Sequence, residues 1–194
     1  MGSIEKQIEE AKEVIEDGGI VVFPTETAYG IAADATSRVA VEKVYEAKKR
    51  PRSKGLTAIV DSLKTAEKYA ELSNRERKVI EKFMPGPLTL VGEKKSSVPD
   101  NLNEDFAFRI SSGEVADRLS EVGPITATSA NVSGQDTSYS IEDISDELLD
   151  KVDYVIDAGE LNEGPTSTIA AIREDDVKVF REGPIKKKEL EKVL

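Results

Sequence analysis

The sequence predicts an α/β domain built on a mixed sheet. Short β-favouring runs recur along the 194 residues, with amphipathic helical segments between them. The two kinds interleave without the strict strand–helix–strand alternation of an all-parallel sheet. No repeat, low-complexity tract or Pro/Gly/Ser linker divides the chain, so a single domain over residues 1–194 is expected.

The chain opens with a helix. Ile4, Ile8, Ala11 and Ile15 fall on one face at helical spacing, and Gly18-Gly19 supplies a stop. Ile20 to Phe23 reads as a buried strand. A second helix fits Val39 to about Lys49, with Val41, Val44 and Tyr45 inward and Pro51 beyond its end. Leu56 to Val60 is β-rich. Ser62–Glu71 and Ser73–Phe83 read as helices, the second opened by a capping box of Ser73 and Glu76 and closed by Pro85-Gly86-Pro87. Leu88–Val91, Phe106–Ile110, Ile125–Thr128, Tyr154–Ile156, Thr168–Ile172 and Val177–Phe180 are the remaining strands. Helices are expected at about Val115–Glu121, Ile141–Val152 and Lys186–Val193.

Composition restricts the chemistry. Cysteine and histidine are both absent, which rules out a thiol nucleophile, thiolate zinc and an imidazole base from this chain. Catalysis by positioning and charge stabilisation, as in phosphoryl or nucleotidyl transfer, remains. The net charge of −11 argues against a general nucleic-acid coat or membrane-surface binder. No apolar stretch approaches the ~20 residues of a membrane span, and residues 1–14 alternate acidic and basic groups instead of forming a secretory leader. Gly2 is followed by Lys6 where a myristoylation signal has Ser or Thr. A cytoplasmic protein is the expectation.

Four polar segments stand where strands end or helices begin, the rim at which open α/β sheets bind ligands. Phe23-Pro24-Thr25-Glu26-Thr27-Ala28-Tyr29-Gly30 offers hydroxyls and a carboxylate beside a Pro-directed turn; it also reads as a turn satisfying its own amides. Lys48 to Lys54 places five cations in seven positions, enough to attract a polyphosphate or equally to complement a helix C-terminus. No Gly-rich Walker loop is present. Ile125 to Gly134 runs a strand into small hydroxyl residues and Asn131, a lining for phosphate or a planar base, or a polar turn. The fourth segment combines Gly164–Ile169 with Phe180–Pro184, including Arg181. Arg109, inside the apolar run Phe106–Ile110, needs an anionic partner, either structural or a ligand carboxylate.

Together these segments resemble the YrdC-type threonylcarbamoyl-AMP synthase family in its single-domain form. The matching pieces are F-P-T-E-T-A-Y-G at 23–30, K-x-R-P with a following K-G-L at 48–56, P-G-P-L-T at 85–89, T-S-A-N-x-S-G at 128–134, S-T-I at 167–169 and R-x-G-P-I at 181–185, in family order over nearly the whole chain. The resemblance implies a twisted mixed sheet, parallel and antiparallel, curving round an open, positively lined cleft. It further implies that L-threonine, bicarbonate or carbon dioxide, and ATP give threonylcarbamoyl-AMP and pyrophosphate. That product is the donor from which a separate complex modifies tRNA.

By the same resemblance, Lys48, Arg50, Ser129 and Asn131 form a tetrad around the nucleotide, with Lys48 and Arg50 catalytic and drawing on the phosphates. Arg181 adds a nucleotide contact. Thr25, Arg109 and Ser167 belong to the threonine end, Arg109 holding its carboxylate. Mg²⁺ is expected to arrive on ATP, with no dedicated metal site and no tightly bound cofactor. Both Lys48 and Arg50 are expected at a solvent-open cleft. The chain departs from the pattern at Ser111-Ser112-Gly113, at Ile59 and at Gln135–Ser138, and the second C-terminal domain of longer members is not expected. The competing reading is a non-catalytic module gripping tRNA or double-stranded RNA, which the acidity and scarce aromatics disfavour. A carbamoyl-adenylate chemistry like that of hydrogenase-maturation proteins is a further variant, without the zinc regions usual there.

Overall fold

The computed structural model describes residues 3–174 and 176–194; Gly2 and its myristoylation reading lie outside them. Helix α1 (Ile4–Glu16) is capped by the Ser3 hydroxyl and buries Ile8, Ala11 and Ile15. Each of the two isoleucines contributes ~1.5–3 kcal/mol on leaving water. Strands β1 (Val21–Pro24) and β2 (Tyr29–Ala32) form an antiparallel hairpin. Helix α2 (Arg38–Ala47) leads to β3 (Thr57–Ile59), α3 (Leu63–Tyr69), β4 (Ala70–Glu71), α4 (Asn74–Phe83), β5 (Leu88–Lys94) and β6 (Phe106–Arg109). After α5 (Glu114–Leu119) come β7 (Ile125–Ser129), α6 (Asp146–Leu149), β8 (Tyr154–Val155), β9 (Thr168–Ile172), β10 (Val177–Arg181) and α7 (Lys187–Glu191).

The strands join one sheet in the order β10-β9-β5-β6-β3-β7-β2-β1-β8, with β4 beside β5. Pairs β1–β8, β3–β6 and β5–β9 are parallel and the others antiparallel, which is the mixed sheet expected.

Side chains alternate across a sheet, and here the two faces are covered unequally. One face packs Ala58, Leu88, Leu90, Phe106, Phe108 and Ala170 into a core with Val41, Val44 and Tyr45 of α2 and Val79 and Ile80 of α4. On the other, Val21, Phe23, Ala32, Ile59 and Ile125 lie beneath α1 and α5. That second cover stops short of β5, β6 and β9. Their residues of the same parity, Thr89, Val91, Ala107, Arg109 and Ile169, line a cavity instead.

Several elements differ from the sequence expectation. Residues 29–32 are a strand, because Thr25 closes a tight turn before them: its hydroxyl accepts from the Thr27 and Ala28 amides at 3.2 Å and donates to Ala28 O at 2.7 Å. The expected helix 62–71 ends at Tyr69, and Ala70-Glu71 pairs with Lys94 and Glu93. The expected helix over 141–152 is two short turns, since Asp143 spends its carboxylate on the Tyr139 and Ser140 amides and Ile144 is extended before the Ser145 cap.

Candidate functional site

The uncovered half-face is the floor of a cavity of about 620 Å³, within the ~300–1,000 Å³ usual for small-molecule sites. Its walls are the β1–β2 turn, the loop after α2, the end of β7 and the segments flanking β9 and β10. Of the expected site residues, Thr25, Arg50, Arg109, Ser129, Ser167 and Arg181 line it; Lys48 and Asn131 do not.

Lys48 corrects the expectation of a solvent-open position: it is 1% exposed. It ends α2, and Lys49 follows with φ +49°, in the left-handed region that costs a non-glycine residue ~1 kcal/mol. That reversal sends three successive cations in different directions. Lys48 turns inward, Lys49 pairs with Glu147 at the surface and Arg50 reaches the cavity. Arg52 pairs with Glu42 and lies 4.8 Å over the Tyr45 ring. The cationic run thus resolves into one cavity residue and several structural ones.

The Lys48 ammonium donates to Ser129 O, to Asn131 O at 2.7 Å and to Asn131 Oδ1 at 3.2 Å. Lys48 O accepts from the Ser133 amide at 2.8 Å, so the same residue holds the loop by its backbone too. Ser129 Oγ donates to Asn131 Oδ1 at 2.5 Å. The expected tetrad therefore divides. Lys48 and Asn131 build the loop, Ser129 stands at its cavity edge, and Arg50 lines the cavity from the loop after α2. Burial, with the Arg50 guanidinium adding to it, pulls Lys48 down to about 7.

Three guanidiniums border the cavity, and they are paired differently. Arg50 donates from Nε to Lys54 O at 2.7 Å and from Nη2 to Gly55 O at 2.9 Å. Gly55 lets the Asn103 side chain lie close against it, since a Cβ would fall 2.3 Å from that side chain and push it aside. Arg181 donates from Nε to Ser167 O at 3.0 Å and from Nη2 to Ser167 Oγ at 3.1 Å. Ser167 Oγ shares a 2.9 Å hydrogen bond with Thr89 Oγ1. Among the described residues neither Arg50 nor Arg181 has a carboxylate partner, whereas Arg109 pairs through Nη1 with Glu26. Burial lowers the pKa of both Arg50 and Arg181, and Arg109 nearby adds to the effect on Arg181.

Glu26 and Thr89 went unassigned in the sequence. Glu26 takes Arg109 on Oε1 and Ser111 Oγ, at 3.0 Å, on Oε2. The signal was available: Arg109 in an apolar strand needs an anion, and Glu26 is the carboxylate of the first rim segment. Thr89 carried a weaker one, a hydroxyl alternating with Leu88 and Leu90 on a buried strand. Arg181, expected with the nucleotide, is fastened to Ser167, expected with threonine; the two ends of the cavity share a wall.

Among the described residues no helix is long and apolar enough to cross a membrane.

The Sua5/YciO/YrdC family model, described as "Telomere recombination", matches residues 13–183. A Methanocaldococcus jannaschii protein provisionally named threonylcarbamoyl-AMP synthase is 41% identical over 93% of this chain and 87% of its own length. The threonylcarbamoyl-AMP synthase of Pyrococcus abyssi is 34% identical over 99% of this chain, which spans 60% of that protein. The crystal structure of P. abyssi Sua5 complexed with L-threonine superposes with a TM-score of 0.89 at 35% identity, covering 98% of this chain and 58% of that one. E. coli YciO gives a TM-score of 0.84 at 25% identity, covering 96% and 93%.

Proposed function

Because this chain belongs to the Sua5/YciO/YrdC family, we propose that it condenses L-threonine, bicarbonate or carbon dioxide, and ATP into threonylcarbamoyl-AMP and pyrophosphate, the donor for threonylcarbamoyladenosine formation in tRNA. The observation that carries the reading is the unequal pairing of the three arginines. Two guanidiniums without a carboxylate face one cavity and call for a polyanion, such as the triphosphate of ATP. The third, already partnered, keeps Nε and Nη2 for a second, smaller anion.

In this scheme the neutral amine of threonine adds through its nitrogen to carbon dioxide and gives up one proton to solvent water, leaving a carbamate. A carbamate oxygen attacks the α-phosphorus in line, the bond from that phosphorus to the bridging oxygen breaks, and pyrophosphate departs with the Mg²⁺ that entered on ATP. The nucleophile belongs to the substrate, which suits a chain without His or Cys. Arg50 and Arg181 neutralise charge on the phosphates and Ser129 orients the adenylate from the loop that Lys48 holds. Arg109 takes the threonine carboxylate, with Thr25 and Ser167 beside it. The RNA-binding alternative gains nothing here, since Glu104 and Asp105 share the rim with the arginines.

The test is pyrophosphate release from ATP and bicarbonate, with and without L-threonine, together with mass analysis of the quenched nucleotides. Threonine-dependent release with a threonylcarbamoyl adenylate is expected. Folded protein that releases no pyrophosphate across a range of Mg²⁺ and pH would overturn the reading.

A further inference from the structure

At the outer edge of the cavity the chain breaks its own alternation. Val177 and Val179 of β10 pack toward the helix-covered core, so Lys178 and Phe180 point to the open face. Arg181 should return to the core side. It does not, because the pairing with β9 shifts register between Val179 and Arg181, a β-bulge that turns one residue out of step. Phe180 and Arg181, adjacent in sequence, both line the cavity as a result.

Phe180 is 51% exposed, one of three large exposed apolar residues among those described, and the one that borders the cavity. The ring is held from one side by Lys178, whose ammonium lies 4.9 Å from its centroid; Lys178 itself does not line the cavity. The strand end is fixed close by. Gly183 passes so near β9 that a Cβ would fall 2.4 Å from Thr166 O, and its amide donates to Thr168 Oγ1 at 3.0 Å. The ring is therefore a wet apolar face on a rigid rim beside a guanidinium without a carboxylate. That combination suits a ligand that joins a planar aromatic group to an anion.

We infer that Phe180 is the stacking platform for the adenine base of ATP, with Arg181 beside it on the nucleotide. The inference deepens the synthase reading by assigning the base a place that the family's motif residues leave open. A ring on a bulge selects for a planar base without reading its edge, so ATP and GTP are discriminated elsewhere.

The chain contains no tryptophan, so Phe180→Trp carries a single reporter at the rim. Its fluorescence is expected to be quenched saturably by ATP and by AMP, and to be unmoved by inorganic tripolyphosphate or L-threonine. In turnover, Phe180→Ala should raise KM for ATP about tenfold, KM for threonine less than about twofold and kcat little, with Phe180→Trp near wild type. Because the quenching is a binding signal, it is read whether or not the protein makes threonylcarbamoyl-AMP. Loss of that activity in the wild type would overturn the synthase reading and leave this inference to the titration. No quenching at millimolar ATP, equal quenching by tripolyphosphate, or an unchanged KM for ATP in Phe180→Ala would overturn the inference itself.

Discussion

Lys48 and Asn131 are joined twice, the ammonium donating to the backbone oxygen of Asn131 at 2.7 Å and to its side-chain oxygen at 3.2 Å. With Ser129 O as third acceptor, every proton of the ammonium is spent on one loop. Lys48 is thus a positioning residue that fixes Ser129 at the edge of the cavity. Lys48→Met keeps the side-chain length but leaves Asn131 O without a donor, while Ser129 O keeps the Asn131 amide and Asn131 Oδ1 keeps the Ser129 hydroxyl. Its unfolding free energy in urea should fall by ~1–3 kcal/mol, and turnover by at least about a hundredfold, since a displacement of ~1 Å in a positioning loop has that effect.

The same lysine makes stability depend on pH. Its folded value of about 7 lies below the 10.5 of an ordinary lysine. Under about pH 7 both states hold the proton and the cost of burying the charge is fully present. Between about 7 and 10.5 the unfolded chain binds more protons than the native one, so stability rises with pH. The slope approaches at most ~1.4 kcal/mol per pH unit. Urea titrations at pH 6 and pH 9 should show wild type gaining on Lys48→Met at the higher pH; parallel curves would remove Lys48 as the source.

Glu26 should govern the threonine end without touching the phosphates. Removing it frees Arg109 Nη1 and Ser111 Oγ together. Glu26→Ala is expected to raise KM for threonine about tenfold, the size of one lost charge-assisted hydrogen bond. Glu26→Gln, which can still accept from Arg109, should stay within about threefold of wild type. Initial rates over a threonine series at saturating ATP decide between them.

Gly183→Ala tests the fastening of the rim. The added methyl would sit 2.4 Å from Thr166 O and 2.7 Å from the Thr168 nitrogen, both backbone atoms that cannot swing away. Overpacking of this kind costs ~1–3 kcal/mol. Thermal melts should register the loss, and KM for ATP should rise because Arg181 lies two residues upstream.

Legibility in the sequence followed how local each cause is. The capping box of Ser73 and Glu76 is a contact over three residues, and α4 forms as its pattern implies. The 141–152 segment carried helical periodicity too, but the capping box of Ser140 and Asp143 makes a first turn that ends at Ile144, and Ser145 opens a second, which divides it. Strand β2 was hidden because its turn and its ligand-like hydroxyls are the same residues, Thr25 to Ala28. At the site, the arginines were legible as cations out of place. The burial of Lys48 was not, since a run of five basic residues reads as surface until the reversal at Lys49 separates them. Neither was the bulge that brings Phe180 and Arg181 to one side, because register belongs to a pair of strands.

The unequal covering of the sheet has a consequence for how selectivity can change. Every floor residue of the cavity is the immediate chain neighbour of a residue locked in the main core, Thr89 between Leu88 and Leu90, Ala107 between Phe106 and Phe108. The floor is therefore as incompressible as the interior beneath it, and a misfitting ligand finds no give there. Accommodation has to come from the perimeter, where the Thr25–Ala28 turn and the bulged end of β10 project over the floor. New substrate preferences would then arise from altering those two edges, while the base of the site stays fixed by the demands of folding.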